Sequence, residues 1–173
     1  MATVRVGIGC FVIKRVNGKA YFLLGKRQGS HGSGCWGLPG GHLDMGEEWS
    51  TCAARETFEE CGIQTDSIAY REATNDVFGP DLHYITLFHS CEVSKEYQGR
   101  PVRRMEPNKC LQWIWVSWQE FMSNRALLRD ACTDNCFEAI DTPEVVNLEA
   151  LFLPLQNLKK KLQFSSDPPS WLN

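Results

Sequence analysis

The chain has 173 residues, 43% of them hydrophobic, with 18 basic against 21 acidic side chains and a formal net charge of −3; this suits one domain around one core. That balance excludes the basic stripe a nucleic-acid backbone requires, so no polymeric nucleic-acid partner is expected, whereas a small phosphorylated ligand held by a metal and a few cations remains open. No window approaches the ~20 apolar residues that cross a bilayer, and Met1 to Lys14 lacks the regions of a secretory signal, so no membrane association and a cytoplasmic location are expected.

In chain order, Val4 to Ile13 and Ala20 to Leu24 are rich in β-branched and aromatic residues and flank Asn17-Gly18, which predicts a hairpin. Gly25 to Gly41 holds seven glycines with Ser30, Ser33 and Pro39, a loop interrupted by Cys35, Trp36 and Leu38. Glu47 to Cys61 has no proline and ends at Gly62, where a left-handed residue stops a helix. Ile68 to Asn75, His83 to Val93 and Leu111 to Val116 read as strands separated by turns at Gly79-Pro80 and Glu106-Pro107.

Ser117 to Leu128 reads as helix or turn and Arg129 to Pro143 as an exposed polar excursion, with a last helix from near Pro154 and a loosely ordered tail over 165–173. Strands on both sides of one central helix, followed by a last helix, predict an α/β (α+β) domain over 1–164: a mixed sheet between helices. The eight cysteines (Cys10, Cys35, Cys52, Cys61, Cys91, Cys110, Cys132, Cys136) include no C-x-x-C, and in a reducing compartment they are expected to be small buried thiols rather than disulfides or zinc ligands.

The chemistry concentrates on the central helix. With about 100° per residue, Cys52, Ala53, Glu56 and Glu60 fall within roughly 60° of Trp49, so two acids continue the face expected to be buried. Carboxylates four residues apart have Cβ atoms about 6 Å apart and can share a hard cation. Five acids (Glu47, Glu48, Glu56, Glu59, Glu60) stand against Arg55 alone, and such crowding favours a bound divalent ion, Mg²⁺ or Mn²⁺. A solvated acidic helix is the plain alternative.

From Gly41 the chain runs through Glu47 to Arg55-Glu56-Thr57-Phe58-Glu59-Glu60-Cys61-Gly62-Ile63, which resembles the Nudix box G-x5-E-x7-R-E-U-x-E-E-x-G-U. The one departure is Thr57, where the family usually has an aliphatic residue. The resemblance implies a Nudix fold and a Mg²⁺-dependent hydrolase of nucleotides. It also implies metal binding by Glu56 and Glu60, with Glu59 directly or through water and the Gly40 carbonyl as a further ligand. Arg55 would orient a glutamate, Glu47 would support it, and Glu56, or alternatively Glu59, would be the general base.

Segments outside the box, among them Leu38-Pro39-Gly40-Gly41-His42-Leu43, Met105-Glu106-Pro107-Asn108-Lys109-Cys110 and Leu151-Phe152-Leu153-Pro154-Leu155, resemble the nucleoside triphosphate diphosphatase branch, which acts on guanine-type or oxidised nucleotides and forms homodimers. That resemblance makes Lys26, Arg27, Gly41 and His42 candidates for the phosphates or sugar. It places Thr86, Phe152, Leu153, Pro154 and Leu155 beside the base, with 122–148 as an insertion. A nucleoside triphosphate is the expected substrate and a homodimer the expected assembly. The alternatives are ADP-ribose, a dinucleotide polyphosphate, or a non-catalytic nucleotide-binding module.

Overall fold

A computed structural model describes residues 3–29, 31–138, 142–163 and 167–173. Period-2 alternation sorts the strands onto two cores. In β1 (Val4–Val16), Ile8, Cys10 and Val12 join Cys52 and Ala53 of helix α1 (Trp49–Cys61). Phe11 and Ile13 point the other way, to Trp118 and Phe121 of α2 (Trp118–Ser123) and to Leu155 and Leu158 of α3 (Leu153–Leu162). The other strands are β2 (Lys19–Arg27), β3 (Trp36–Gly37), β4 (Gly40–His42), β5 (Thr65–Gly79), β6 (Leu82–Val93) and β7 (Cys110–Ser117). They form one sheet in the order β3-β2-β1-β6-β5, with β4 also on β1 and β7 also on β2. The β1–β6 pair is parallel and its neighbours antiparallel, so the sheet is mixed and carries helices on both faces, the expected α+β architecture.

β1 changes partner along its length: Gly7 to Gly9 pair with β4, and Ile13 to Val16 pair with β2 across the Asn17-Gly18 turn. Both turn residues have positive φ, 50° and 76°, as a two-residue hairpin of this hand requires. The fork between β4 and β2 leaves the middle of β1 bordered by the 36–42 segment and opens a cleft beside it.

Helix α1 ends where expected, on Gly62 at φ 65°, whose N–H reaches the Phe58 carbonyl at 2.9 Å. Its start is Trp49, two residues later than Glu47, and its buried stripe is Cys52, Ala53, Thr57 and Cys61. Trp49 was expected on the buried face but is 46% exposed. At the first helical residue only the rings of Tyr70 and His89 flank it, at 5.8 and 6.4 Å. Thr57 is fully buried and its hydroxyl has no hydrogen-bond partner. An unsatisfied buried hydroxyl costs about 1–3 kcal/mol, and valine has the same shape. Thr57→Val is therefore expected to raise stability by about 1 kcal/mol in urea denaturation at unchanged activity.

One expectation for the second half is corrected. The polar 129–143 segment is not exposed at its start: Trp115 N–H bonds Arg129 O, Ala131 N–H bonds Trp113 O, and Val102 N–H bonds Ala131 O, at 2.7–3.0 Å, with Ala131 1% exposed, whereas Thr133 to Asn135 are exposed as expected. Backbone pairing to β7, invisible in side-chain polarity, holds it down. Of the tail, residues 165 and 166 lie outside the described residues; residues 167–173 are seated, with Trp171 at 5.1 Å from the Phe11 ring and Leu172 2% exposed. Two apolar side chains, ahead of the final Asn173, suffice to dock it. On either side of the first of these segments, β8 (Arg125–Leu127) and β9 (Val145–Asn147) pair within the 122–148 stretch. Five cysteines, Cys10, Cys52, Cys61, Cys91 and Cys110, are buried. No helix among the described residues is long and apolar enough to cross a membrane.

Candidate active site

Arg55 organises the acidic end of the cleft. Its Nε and Nη2 donate to the two oxygens of Glu47 at 2.8 and 3.0 Å, and its Nη1 donates to Glu56 Oε1 at 2.8 Å and Glu59 Oε2 at 3.2 Å. Its Nη2 also reaches the His42 carbonyl at 3.2 Å, tying α1 to β4. These bonds hold the Glu47 carboxyl down at about 2 and raise the Arg55 guanidinium further above its ordinary value. Arg55 is thus locked in its charged form between three carboxylates.

Glu60 sits differently. It accepts a hydrogen bond from Gly40 N–H at 3.0 Å, yet burial, with Glu56 and Glu106 nearby, pushes its carboxyl up to about 7, against the opposing pull of Arg27 and that hydrogen bond. A carboxyl this reluctant to ionise gains most from a cation. Gly41 makes room for the neighbouring acid: a Cβ there would overlap the Glu56 carboxylate, and a Cβ on Gly40, at φ 154°, would overlap the Ile8 carbonyl. Among the described residues no three His, Cys, Asp or Glu side chains form a ready-made metal cage. The donor set nonetheless fits Mg²⁺, which usually takes one or two carboxylates and fills its remaining positions with phosphate oxygens and water. Glu56 and Glu60 line the cleft; Glu59, 54% exposed in its side chain, stands on the outer flank and does not.

The cleft, about 560 Å³, runs from these carboxylates past Gly7 and Gly9 of β1 to an aromatic end. There Phe78 and Phe152 lie 5.4 Å apart with planes at 32°, Tyr84 meets Phe78 edge-on at 5.7 Å, and His31 meets Phe78 at 4.3 Å. The Arg27 guanidinium lies 4.1 Å from the Phe152 ring centre, and burial lowers its proton affinity. Tyr84 Oη is 2.7 Å from His42 Nε2 and accepts from Arg5 at 3.2 Å, linking the aromatic part of the wall to β4.

Of the residues expected in the site, Arg27, Gly40, Gly41, His42, Glu56, Glu60, Thr86, Phe152, Pro154 and Leu155 border one cavity. Lys26 and Leu153 do not. Neighbouring strand residues face opposite ways, and a register shift between Lys26 and Arg27 accompanies Arg27 turning into the cleft while Lys26 stays over the Trp36 ring at 5.6 Å. Leu153 opens α3 between two lining residues, Phe152 and Pro154, and points elsewhere. Lys109 lines the cleft although the sequence reading gave it no role. Its Nζ is 2.7 Å from Glu106, and its charge is felt by both Glu60 and Glu56. Phe78 and Tyr84 were also missed; their signal was two aromatics flanking the Gly79-Pro80 turn of a hairpin.

A NUDIX domain family model matches residues 3–137. The chain is 29% identical over 145 residues to Nudix hydrolase 2 of Arabidopsis thaliana, covering 78% of this chain but only 48% of that protein, so it spans about half the relative's length. A MutT NUDIX hydrolase structure from Burkholderia pseudomallei is similar at 26% identity and TM-score 0.57, covering 66% of this chain and 84% of that one. A MutT protein from Methanosarcina mazei Go1, 17% identical, shares the fold over 95% of this chain and 96% of its own at TM-score 0.62. With a family model spanning the sheet, the box helix and the glycines that face it, the chain belongs to the Nudix family.

Proposed function

We propose that the protein is a Mg²⁺-dependent hydrolase that converts a nucleoside triphosphate, of the guanine or modified-guanine type, to the monophosphate and pyrophosphate. The observation that carries this reading is one cavity with the Glu56 and Glu60 carboxylates at one end and the Phe78, Tyr84 and Phe152 rings at the other. A phosphate chain suits the first end and a base the second. Eight free thiols suit a reducing, cytoplasmic setting.

Glu56 and Glu60, with the Gly40 carbonyl, would hold the divalent ion, which when bound supplies charge neutralisation at phosphorus and lowers the pKa of water. Glu56 is the base in this reading: its Oε1 is fixed by Arg55, and the carboxylate faces the Gly41 backbone, where it can take the proton from an attacking water. Arg55, held by Glu47, keeps that oxygen in place and does not itself reach the cleft. Arg27 and Lys109 supply positive charge to the departing pyrophosphate and the monophosphate. Attack in line on the α-phosphorus then breaks its bond to the bridging oxygen, which leaves with pyrophosphate.

The assignment of countercharge is tested by a pair of variants. Lys109→Met is expected to raise KM for the triphosphate about tenfold, roughly the loss of one charge-assisted hydrogen bond, while Lys26→Met leaves KM unchanged. The reverse pattern would return the phosphate role to Lys26. The reading as a whole is tested by a panel of canonical and modified triphosphates, ADP-ribose and dinucleotide polyphosphates with Mg²⁺. Highest turnover on a triphosphate with pyrophosphate release supports it, and turnover confined to ADP-ribose or a dinucleotide overturns it.

A further inference from the structure

Beneath the aromatic end lies an acid that the proposed chemistry does not use. Asp76 is 0% exposed on β5, and among the described residues its hydrogen-bond donors are the neutral Thr74, Thr86 and Asn157. Its Oδ2 accepts from Thr86 Oγ1 at 2.6 Å and Thr74 Oγ1 at 2.9 Å, and its Oδ1 accepts from Asn157 Nδ2 at 2.8 Å. Both carboxyl oxygens are used as acceptors, and the three donors come from β6, β5 and α3. Thr86 is the one of the three that also borders the cavity.

A hydroxyl has one proton and two lone pairs. With the Thr86 proton spent on Asp76, only lone pairs remain for a ligand. The register places Thr86 beside Gly7, whose absent Cβ would stand 3.7 Å from that hydroxyl, so the glycine leaves it uncovered. The residue is 7% exposed, so a ligand group reaching it is withdrawn from water and must match its polarity.

We infer that Thr86 is a fixed hydrogen-bond acceptor for an N–H group on the edge of the bound base, and that Asp76 is a positioning residue that sets this polarity. The inference rests on the proposed seating of the base at the Phe152 end of the cleft. The substrate class it selects is a purine bearing an N–H on its pocket-facing edge, as guanine does. A purine whose edge offers only ring-nitrogen acceptors would set lone pair against lone pair. A site built for such a bond discriminates strongly, because mismatch leaves buried polar groups unpaired.

The test reads binding rather than turnover. Calorimetry would compare GMP with purine riboside 5′-monophosphate, which lacks N–H donors on its base, for the wild type, Thr86→Val and Asp76→Asn. The wild type is expected to favour GMP by at least about tenfold. Thr86→Val, nearly the same shape, should bring the ratio to within about threefold. In Asp76→Asn the amide can donate to Thr86 Oγ, freeing the hydroxyl proton to point into the cavity, so the purine riboside should gain relative to GMP. A merely structural Asp76 would weaken both ligands alike. Equal wild-type affinities, no binding of either nucleotide, an unchanged ratio in Thr86→Val, or parallel weakening in Asp76→Asn would overturn the inference. If Asp76→Asn does not fold, the wild type and Thr86→Val decide it. Preference for GMP without hydrolysis of any triphosphate would sink the proposed activity and leave this inference standing.

Discussion

Glu56→Gln is expected to lower kcat by at least about 10³-fold while leaving the thermal unfolding midpoint of the metal-free protein unchanged or higher. The amide keeps the shape and can still meet Gly41, but it removes a charge from the proposed cation site and cannot take a proton from water. It also removes one of the three anions around Arg55, which stays anchored by Glu47 at 2.8 and 3.0 Å. The loss should therefore fall on turnover, with KM changing far less. Steady-state kinetics together with a melting curve checks both halves. Wild-type kcat would remove Glu56 from the chemistry, and an unfolded variant would make it a structural residue.

The second large effect is linked to pH. Burial raises the Glu60 carboxyl to about 7 in the folded, metal-free chain, against about 4.3 when unfolded. A group raised in this way contributes stability that is fully present below the unfolded value and lost as pH rises through the folded one. The chelated wild type should therefore lose on the order of 3 kcal/mol between pH 4.5 and pH 8, at about 1.4 kcal/mol per unit. Glu60→Gln is neutral throughout, and its amide oxygen can keep the bond from Gly40 N–H. In urea denaturation with EDTA the variant should match the wild type at pH 4.5 and exceed it at pH 8, although it should be inactive. A constant difference across that range would contradict the burial of an ionising group here.

How far the sequence carried can be judged residue by residue. Helix α1 was legible because its stop, Gly62, and its acids are local features, and the paired strands were legible from their β-branched runs. The orientation of Lys26 and Arg27 was not: the two are adjacent and alike in charge, and a shift in cross-strand register with β7, set by residues over 80 positions away, decides which one faces the cleft. Trp49 has the angle of a buried residue, but periodicity says nothing about where a helix outruns the surface it packs on. The 129–137 segment is held by backbone bonds, which side-chain composition does not encode.

That Glu56, Glu60 and Gly41 would share one cleft was legible in the motif, and Gly40 stands directly before it. The role of Asp76 was not. Its one sequence signal is an acid at an inward strand position between Thr74 and Phe78, and its meaning comes from Thr86 and Asn157, which only the β5–β6 register and the packing of α3 bring to it. Lys109 likewise reaches the cleft because its backbone carbonyl is tied to Gln28 N–H at 2.8 Å, which fixes the loop before β7 against the end of β2.

In the proposed reaction this cleft directs water to the α-phosphorus of a nucleoside triphosphate. Hydrolysis of GTP in ¹⁸O-labelled water with Mg²⁺, followed by ³¹P spectroscopy, tests it most directly. One labelled oxygen in GMP and unlabelled pyrophosphate are expected, with no reaction in EDTA. Label in pyrophosphate, release of inorganic phosphate with GDP, or turnover unaffected by chelation would contradict it.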